Sequence, residues 1–310
     1  MKSLIVAERV CLTTHLAALL FGLAGLVWVL PHPDFILSLP PLGQRLFHWS
    51  MAGGGVVYII AGALTMALHG YRRWGWQPLL SFMGPAVGLS LGSELLGTST
   101  GFPFGHYAYL DGLGYKIASL VPFTIPLSWF YLGFAAYILA YVGLGSKFGR
   151  SAEVVHWAIR LAAVGLGAIL LTAWDLVLDP AMSQAPVPFW QFQEVGAFFG
   201  MPYRNLAGWV GTGVLFMTVA ALLWRRVPVT LGRQQLTVPL AVYLANFAFG
   251  AVITLTLLDS QFQIPVLLGV MGGVLPALAL WRMTPAHPPV LESTAEAVVS
   301  LGIPVGASQK

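Results

Sequence analysis

The sequence predicts an all-α fold, a polytopic integral membrane bundle of about eight transmembrane helices with both termini cytoplasmic. Three observations predict it. Charged residues make up 8% of the 310 positions and hydrophobic residues 57%, against about 25% charged in soluble domains. The apolar excess is segmented into stretches near the ~20 residues that one helical crossing needs. Lys and Arg gather in every second connection. No series of short alternating strands marks a membrane β-barrel.

Taken in order, the apolar stretches predict helices near 10–30, 47–68, 77–97, 123–144, 156–179, 206–224, 238–258 and 264–282. The first run, Leu12 to Leu30, is too long for a signal-peptide core, and no small-residue cleavage site follows it, so it reads as a retained helix. In the second helix, Gly53, Gly54 and Gly55 suit close helix packing. The third carries Glu94 near its end. The fifth ends in WDLVLDP (174–180), with Pro180 marking the exit. The sixth follows Arg204 and Asn205. These helices make one transmembrane domain over 1–282. Residues 283–310 lack periodicity and read as a loosely ordered cytoplasmic tail.

The basic residues test this count. With the N-terminus inside, the inner segments hold Lys2, Arg9, Arg72, Arg73, Lys147, Arg150, Arg160, Arg225, Arg226, Arg233, Arg282 and Lys310, and the outer ones only Arg45, Lys116 and Arg204. Dropping one helix would scramble that alternation, so the bias supports an even number of crossings in a cell membrane. It also accounts for the net charge of +4 without a nucleic-acid partner. A single cysteine, Cys11, excludes an internal disulfide framework.

Two outer connections differ from the rest. Residues 98–122 and 180–205 are long, aromatic and rich in Gly and Pro. They read either as interfacial aromatic belts or as lids over a site. Three carboxyls lie beside them. Asp175 and Asp179 are four residues apart, hence on one helix face one turn apart. Glu94 sits among Ser93, Thr98, Ser99 and Thr100. One of these acids alone could merely end its helix outside the hydrocarbon. Three at one membrane level favour a site, because ionisable groups at membrane depth are expensive. Phe102, Phe104, Tyr107, Tyr109, Trp129, Trp174, Trp190 and Trp209 lie around them as interfacial anchors or as the wall of a cavity able to stabilise a cation. Arg204 is placed to neutralise a carboxyl or to mark the interface. The seven histidines are scattered, so no local metal cluster is predicted. No phosphate-binding loop, dinucleotide fingerprint or nucleophile elbow occurs.

The runs SELLGTSTGFPFGHYAY (93–109), WDLVLDP (174–180) and FFGMPYRNLAGW (198–209) resemble the membrane-bound carotenoid biosynthesis proteins, among them the carotenoid 1,2-hydratases and the bisanhydrobacterioruberin hydratases. The likeness spans about 77 to 210. It implies addition of water across the terminal double bond of a ψ-end carotenoid such as lycopene or γ-carotene, in the bilayer and alongside other enzymes of carotenoid biosynthesis. Such hydration needs no metal and no redox cofactor. It needs an acid to protonate the alkene, aromatic faces to stabilise the tertiary cation and a held water. A carboxyl in apolar surroundings can stay protonated near neutral pH. Glu94, Asp175 and Asp179 are the acid/base candidates, with Asp179 or Glu94 as proton donor. Tyr107 and His106 are candidates to relay protons or hold the water. Phe102, Phe104, Tyr109, Trp129, Trp174, Trp190, Arg204, Asn205 and Trp209 are candidates to bind the end group. The site is expected toward the non-cytoplasmic face. Competing readings are an acid-initiated cyclase or isomerase, a proton-coupled transporter, and an assembly factor for a pigment complex.

Overall fold

A computed structural model of the chain describes residues 2–148, 153–224 and 231–287. Among them, eight helical segments are long and apolar enough to cross a membrane. Most of the expected tail lies outside the described residues. The first crossing is α1 (Lys2–Leu23), continued by a π-helical turn over Ala24–Val29. The short α2 (Pro33–Ser38) leads to α3 (Pro41–Trp74) and α4 (Trp76–Thr100). Next come α5 (Thr124–Phe148), α6 (Glu153–Ser183), α7 (Tyr203–Leu223) and α8 (Arg233–Leu257). The last crossing joins α9 (Gln263–Gly269) to α10 (Leu275–Met283) through a π-helical turn.

The centre is α5. It is apolar around its whole circumference, and every residue from Ser128 to Ala140 is buried, as expected of a core helix. It packs against α3, α4, α6, α8 and α10. At the edge, α1 lies on α3 and α8.

Three sequence expectations change. First, Pro180 does not end α6, which continues to Ser183. Membrane helices tolerate an interior proline when neighbours satisfy the local backbone, and the Thr254 hydroxyl of α8 donates to the Val177 carbonyl in that turn at 3.1 Å. Asp179 is therefore a helix-interior residue. Second, the three glycines of α3 do not act alike. A Cβ on Gly55 would meet the Gly112 carbonyl at 2.8 Å, whereas nothing lies within 4 Å of one on Gly53 or Gly54. The close approach is thus at Gly55 alone, and its partner is a loop. Third, the hydroxyls of Thr98, Ser99 and Thr100 donate to backbone carbonyls of their own helix and make no cluster around Glu94.

The two long connections clip together. Strand β1 (Tyr107–Tyr109) pairs antiparallel with β4 (Trp190–Phe192), with Tyr107 opposite Phe192 and Tyr109 opposite Trp190. Between them in sequence, β2 (Lys116–Ile117) and β3 (Val121–Pro122) form a small hairpin. The two-residue period of a strand puts Tyr107, Tyr109, Trp190 and Phe192 on one face. Ala108 and Gln191 take the exposed face.

Two further polar clusters tie helices together. His15 Nδ1 faces the Tyr58 carbonyl at 2.7 Å, and the Asn246 amide meets His15 Nε2 at 2.9 Å. The Tyr131 hydroxyl donates to Asn246 Oδ1 at 2.8 Å. This network joins α1, α3, α5 and α8. At the end of the bundle opposite Glu94, Glu8 pairs with Arg72 and lies 3.4 Å from His69 Nδ1.

Candidate active site

The paired strands lie over the ends of α4, α5, α6 and α7, where the three predicted carboxyls converge. Glu94, late in α4, is buried. Its Oε2 accepts from the Tyr107 hydroxyl and, at 2.9 Å, from the Tyr109 hydroxyl. Its Oε1 accepts from Trp129 Nε1 of α5 at 2.8 Å. The two tyrosines reach one carboxyl because they alternate along β1. Burial, and then the adjacent Glu94 carboxyl, push both phenols well above the ordinary tyrosine range, so both remain protonated donors.

The opposite wall is an aspartate pair. Asp179 Oδ1 accepts from Trp190 Nε1 of β4 at 2.9 Å, and its Oδ2 accepts from the Asn205 side-chain amide. The same amide nitrogen reaches Asp175 Oδ2 at 3.2 Å. Asn205 stands in the first turn of α7, so one side chain bridges two carboxyls of α6. Asp175 Oδ1 and Trp174 Nε1 are buried without a hydrogen-bond partner among the described residues.

Between the walls lies a cavity of about 40 Å³. A single water needs about 10–15 Å³ by such a measure, so the space suits one water or a few. Glu94 and Asp179 both line it, with Phe104, Tyr107, Tyr109, Trp129, Trp190, Asn205 and Trp209. Trp129 stacks on Trp209 with ring centres 4.1 Å apart, and both rings line the cavity, Trp129 with its N–H edge on Glu94.

Five other predicted residues stand outside this lining. Asp175 is behind the wall, bonded to Asn205. Trp174 backs Trp209 edge-on at 5.7 Å. Phe102, His106 and Arg204 are exposed, and the described residues show no ion pair between Arg204 and a carboxyl. The lining also includes Ile125, Ser128, Leu178 and Phe192, which the sequence reading missed. The alternation in Trp-Gln-Phe was the available signal for Phe192. Ile125 and Ser128 precede Trp129 by four residues and one on α5, and their apolar context hid them.

A family model described as "Carotenoid biosynthesis protein" matches residues 54–276. The chain belongs to the carotenoid biosynthesis protein family. The matched range contains every residue of both carboxyl walls. Bisanhydrobacterioruberin hydratase of Haloarcula japonica is 36% identical over 135 residues, which cover 44% of this chain and 41% of that protein. The match thus spans less than half of that relative. No solved structure matches this member of the carotenoid biosynthesis family.

Proposed function

We propose that the protein is a carotenoid hydratase, adding water across the terminal 1,2 double bond of a ψ-end carotenoid such as lycopene or γ-carotene. The observation that carries this reading is the water-sized cavity held between Glu94 and Asp179 under an aromatic wall. In the proposed reaction a carboxyl proton of the Asp175–Asp179 pair is transferred to C2 of the alkene, and the π electrons form the new C–H bond. The positive charge falls on C1, a tertiary centre, beside the Trp129–Trp209 stack. Water adds to C1 and gives its surplus proton to Glu94. Glu94 is suited to hold that water, because it accepts three hydrogen bonds and a carboxylate offers about four acceptor sites. Return of the proton from Glu94 to the aspartate pair restores the site. The net change is one water gained by the substrate.

The reading also explains the double wall. Protonation and water capture occur at adjacent carbons, so donor and acceptor must face one another across a small space. The relative from Haloarcula japonica is named a hydratase, which favours this choice over cyclisation. The test is expression in a lycopene-accumulating host, with pigment mass measured. Wild-type protein should yield a product one water heavier. Asp179→Asn and Glu94→Gln should each lower conversion at least ~100-fold, the loss typical for a general acid or base, at unchanged protein level. Unaltered pigment mass with well-inserted wild-type protein would sink the proposal, whereas a product of unchanged mass but altered spectrum would select the cyclase or isomerase reading.

A further inference from the structure

A second and much larger cavity, about 710 Å³, lies along α1 and α3. It runs beside α1 from Thr13 to Leu26, about 20 Å at 1.5 Å per residue. Its walls are almost wholly apolar, and Phe21, Trp49 and Val57 at its rim are exposed, so it opens toward the bilayer. Its trough is made by absent side chains. Nothing lies within 4 Å of a Cβ built on Gly25, Gly53 or Gly54. Three glycines in helices cost roughly 1 kcal/mol each relative to alanine, and here no packing contact offsets that cost.

The groove and the carboxyl cavity are lined by neighbouring residues of the same segments. Phe189 lines the groove, and its chain neighbour Trp190 lines the cavity. Met182 lines the groove, and Asp179, three residues earlier on α6, lines the cavity. The Phe189 amide donates to the Met182 carbonyl at 2.7 Å, so these two groove residues form one partition. Leu113 completes it from the other outer loop.

We propose that this groove is the binding site for the extended polyene chain of the substrate, with the reacting end directed at the Met182–Phe189 partition. The proposal rests on the carotenoid reading given above. A rigid apolar rod suits an apolar trough about 20 Å long whose Met182 and Phe189 are close in the chain to the cavity residues Asp179 and Trp190. The water-sized cavity leaves the rest of a long substrate to be held elsewhere, and the Met182–Phe189 partition separates it from this groove.

The test uses the full chain purified in mild detergent from a lycopene-accumulating host, with bound lycopene per protein read by absorbance and bound phospholipid by mass analysis. Wild-type protein should retain carotenoid, as lycopene or its hydrated product, and Asp179→Asn should retain lycopene itself. Gly25→Leu and Gly54→Leu fill the trough and should each retain at least tenfold less. Gly211→Leu, at an equally open position on α7, should retain the wild-type amount and controls for the cost of leucine in place of glycine. A second measurement needs no bulky change. In a Cys11→Ser background, Thr14→Cys should react at least fivefold more slowly with a membrane-permeant maleimide when lycopene is loaded. Wild-type retention by both trough variants, lack of protection at position 14, or a groove filled by phospholipid alone would overturn the proposal. Lycopene that is bound, lost on Gly54→Leu, yet never hydrated would leave the groove assignment standing and remove the hydratase reading instead.

Discussion

Replacing Asn205 by leucine tests the aspartate wall. The side chains are of similar size, so the change removes two hydrogen bonds with little change in packing. Asp179 would keep the Trp190 donor, and Asp175 would lose its amide donor, leaving the two carboxyls to each other. A buried polar group left unsatisfied costs about 1–3 kcal/mol, so two such groups amount to about 2–6 kcal/mol. Double-mutant cycles inside membranes return smaller values, about 0.6 kcal/mol per bond on average, which favours the lower end. At 1.4 kcal/mol per decade, 2 kcal/mol is about 30-fold. Conversion of lycopene by Asn205→Leu should therefore fall about 8- to 30-fold, and its unfolding temperature should fall as well. The assay is pigment mass over time in isolated membranes, normalised to protein. A cycle with Asp175→Asn separates the two effects. If Asn205 acts by tying the aspartates, its replacement should cost clearly less in the Asp175→Asn background, because coupled groups are non-additive. Wild-type conversion in Asn205→Leu, or full additivity with Asp175→Asn, would refute the bridge.

Other outcomes follow from the same geometry. Tyr107→Phe and Tyr109→Phe should each slow conversion about tenfold, since each removes one of three donors to Glu94 at about 1.5 kcal/mol. Both phenols ionise well above the ordinary tyrosine range, so their stabilising contribution is whole below about pH 10 and declines only above it. A pH–rate profile should therefore show the same alkaline limb below pH ~10 in wild type and Tyr107→Phe. Arg204→Ala and His106→Ala should stay within about threefold of wild-type conversion, because both side chains are exposed and outside the cavity lining. His15→Leu should lower the unfolding temperature, by about 1 kcal/mol of stability for the broken network, with conversion by the folded fraction unchanged.

The crossings were legible because hydrocarbon imposes one rule on every segment. Some 20 apolar residues must cover the backbone, and that signal is local. Glu94, Asp175 and Asp179 were legible for the same reason, since a carboxyl inside such a segment stands out. What the sequence concealed depends on contacts between distant segments. The pairing of Tyr107–Tyr109 with Trp190–Phe192 joins loops more than eighty residues apart, and no local pattern sets that register. Thr98, Ser99 and Thr100 misled because a hydroxyl in a membrane helix satisfies itself on its own backbone and need not serve a neighbouring acid. Pro180 misled because the rule that proline ends helices assumes water around the freed carbonyl. Here the freed carbonyl is that of Leu176, and Thr254 donates to the neighbouring Val177 carbonyl in the same turn. Arg204 and Asn205 were read together as adjacent residues, yet at the start of α7 they point to different surroundings. Only Asn205 faces the carboxyls.

The site's composition follows from where it stands. A carboxyl at membrane depth needs hydrogen-bond donors, and a lysine or arginine partner would bring a second costly charge. Glu94 and Asp179 instead take theirs from Tyr107, Tyr109, Trp129, Trp190 and Asn205. Four of these five are aromatic, so the groups that satisfy the carboxyls also build an apolar wall. In water such a choice would expose large rings to solvent. Under the paired strands it lets one set of side chains hold the acids and, in the proposed reaction, shelter a cation. That economy explains why the two aromatic loops pair with each other. Separately, each would present its rings to the interface. Joined in register, they aim Tyr109 at Glu94 and Trp190 at Asp179 from opposite strands, which fixes the two walls of the cavity relative to one another.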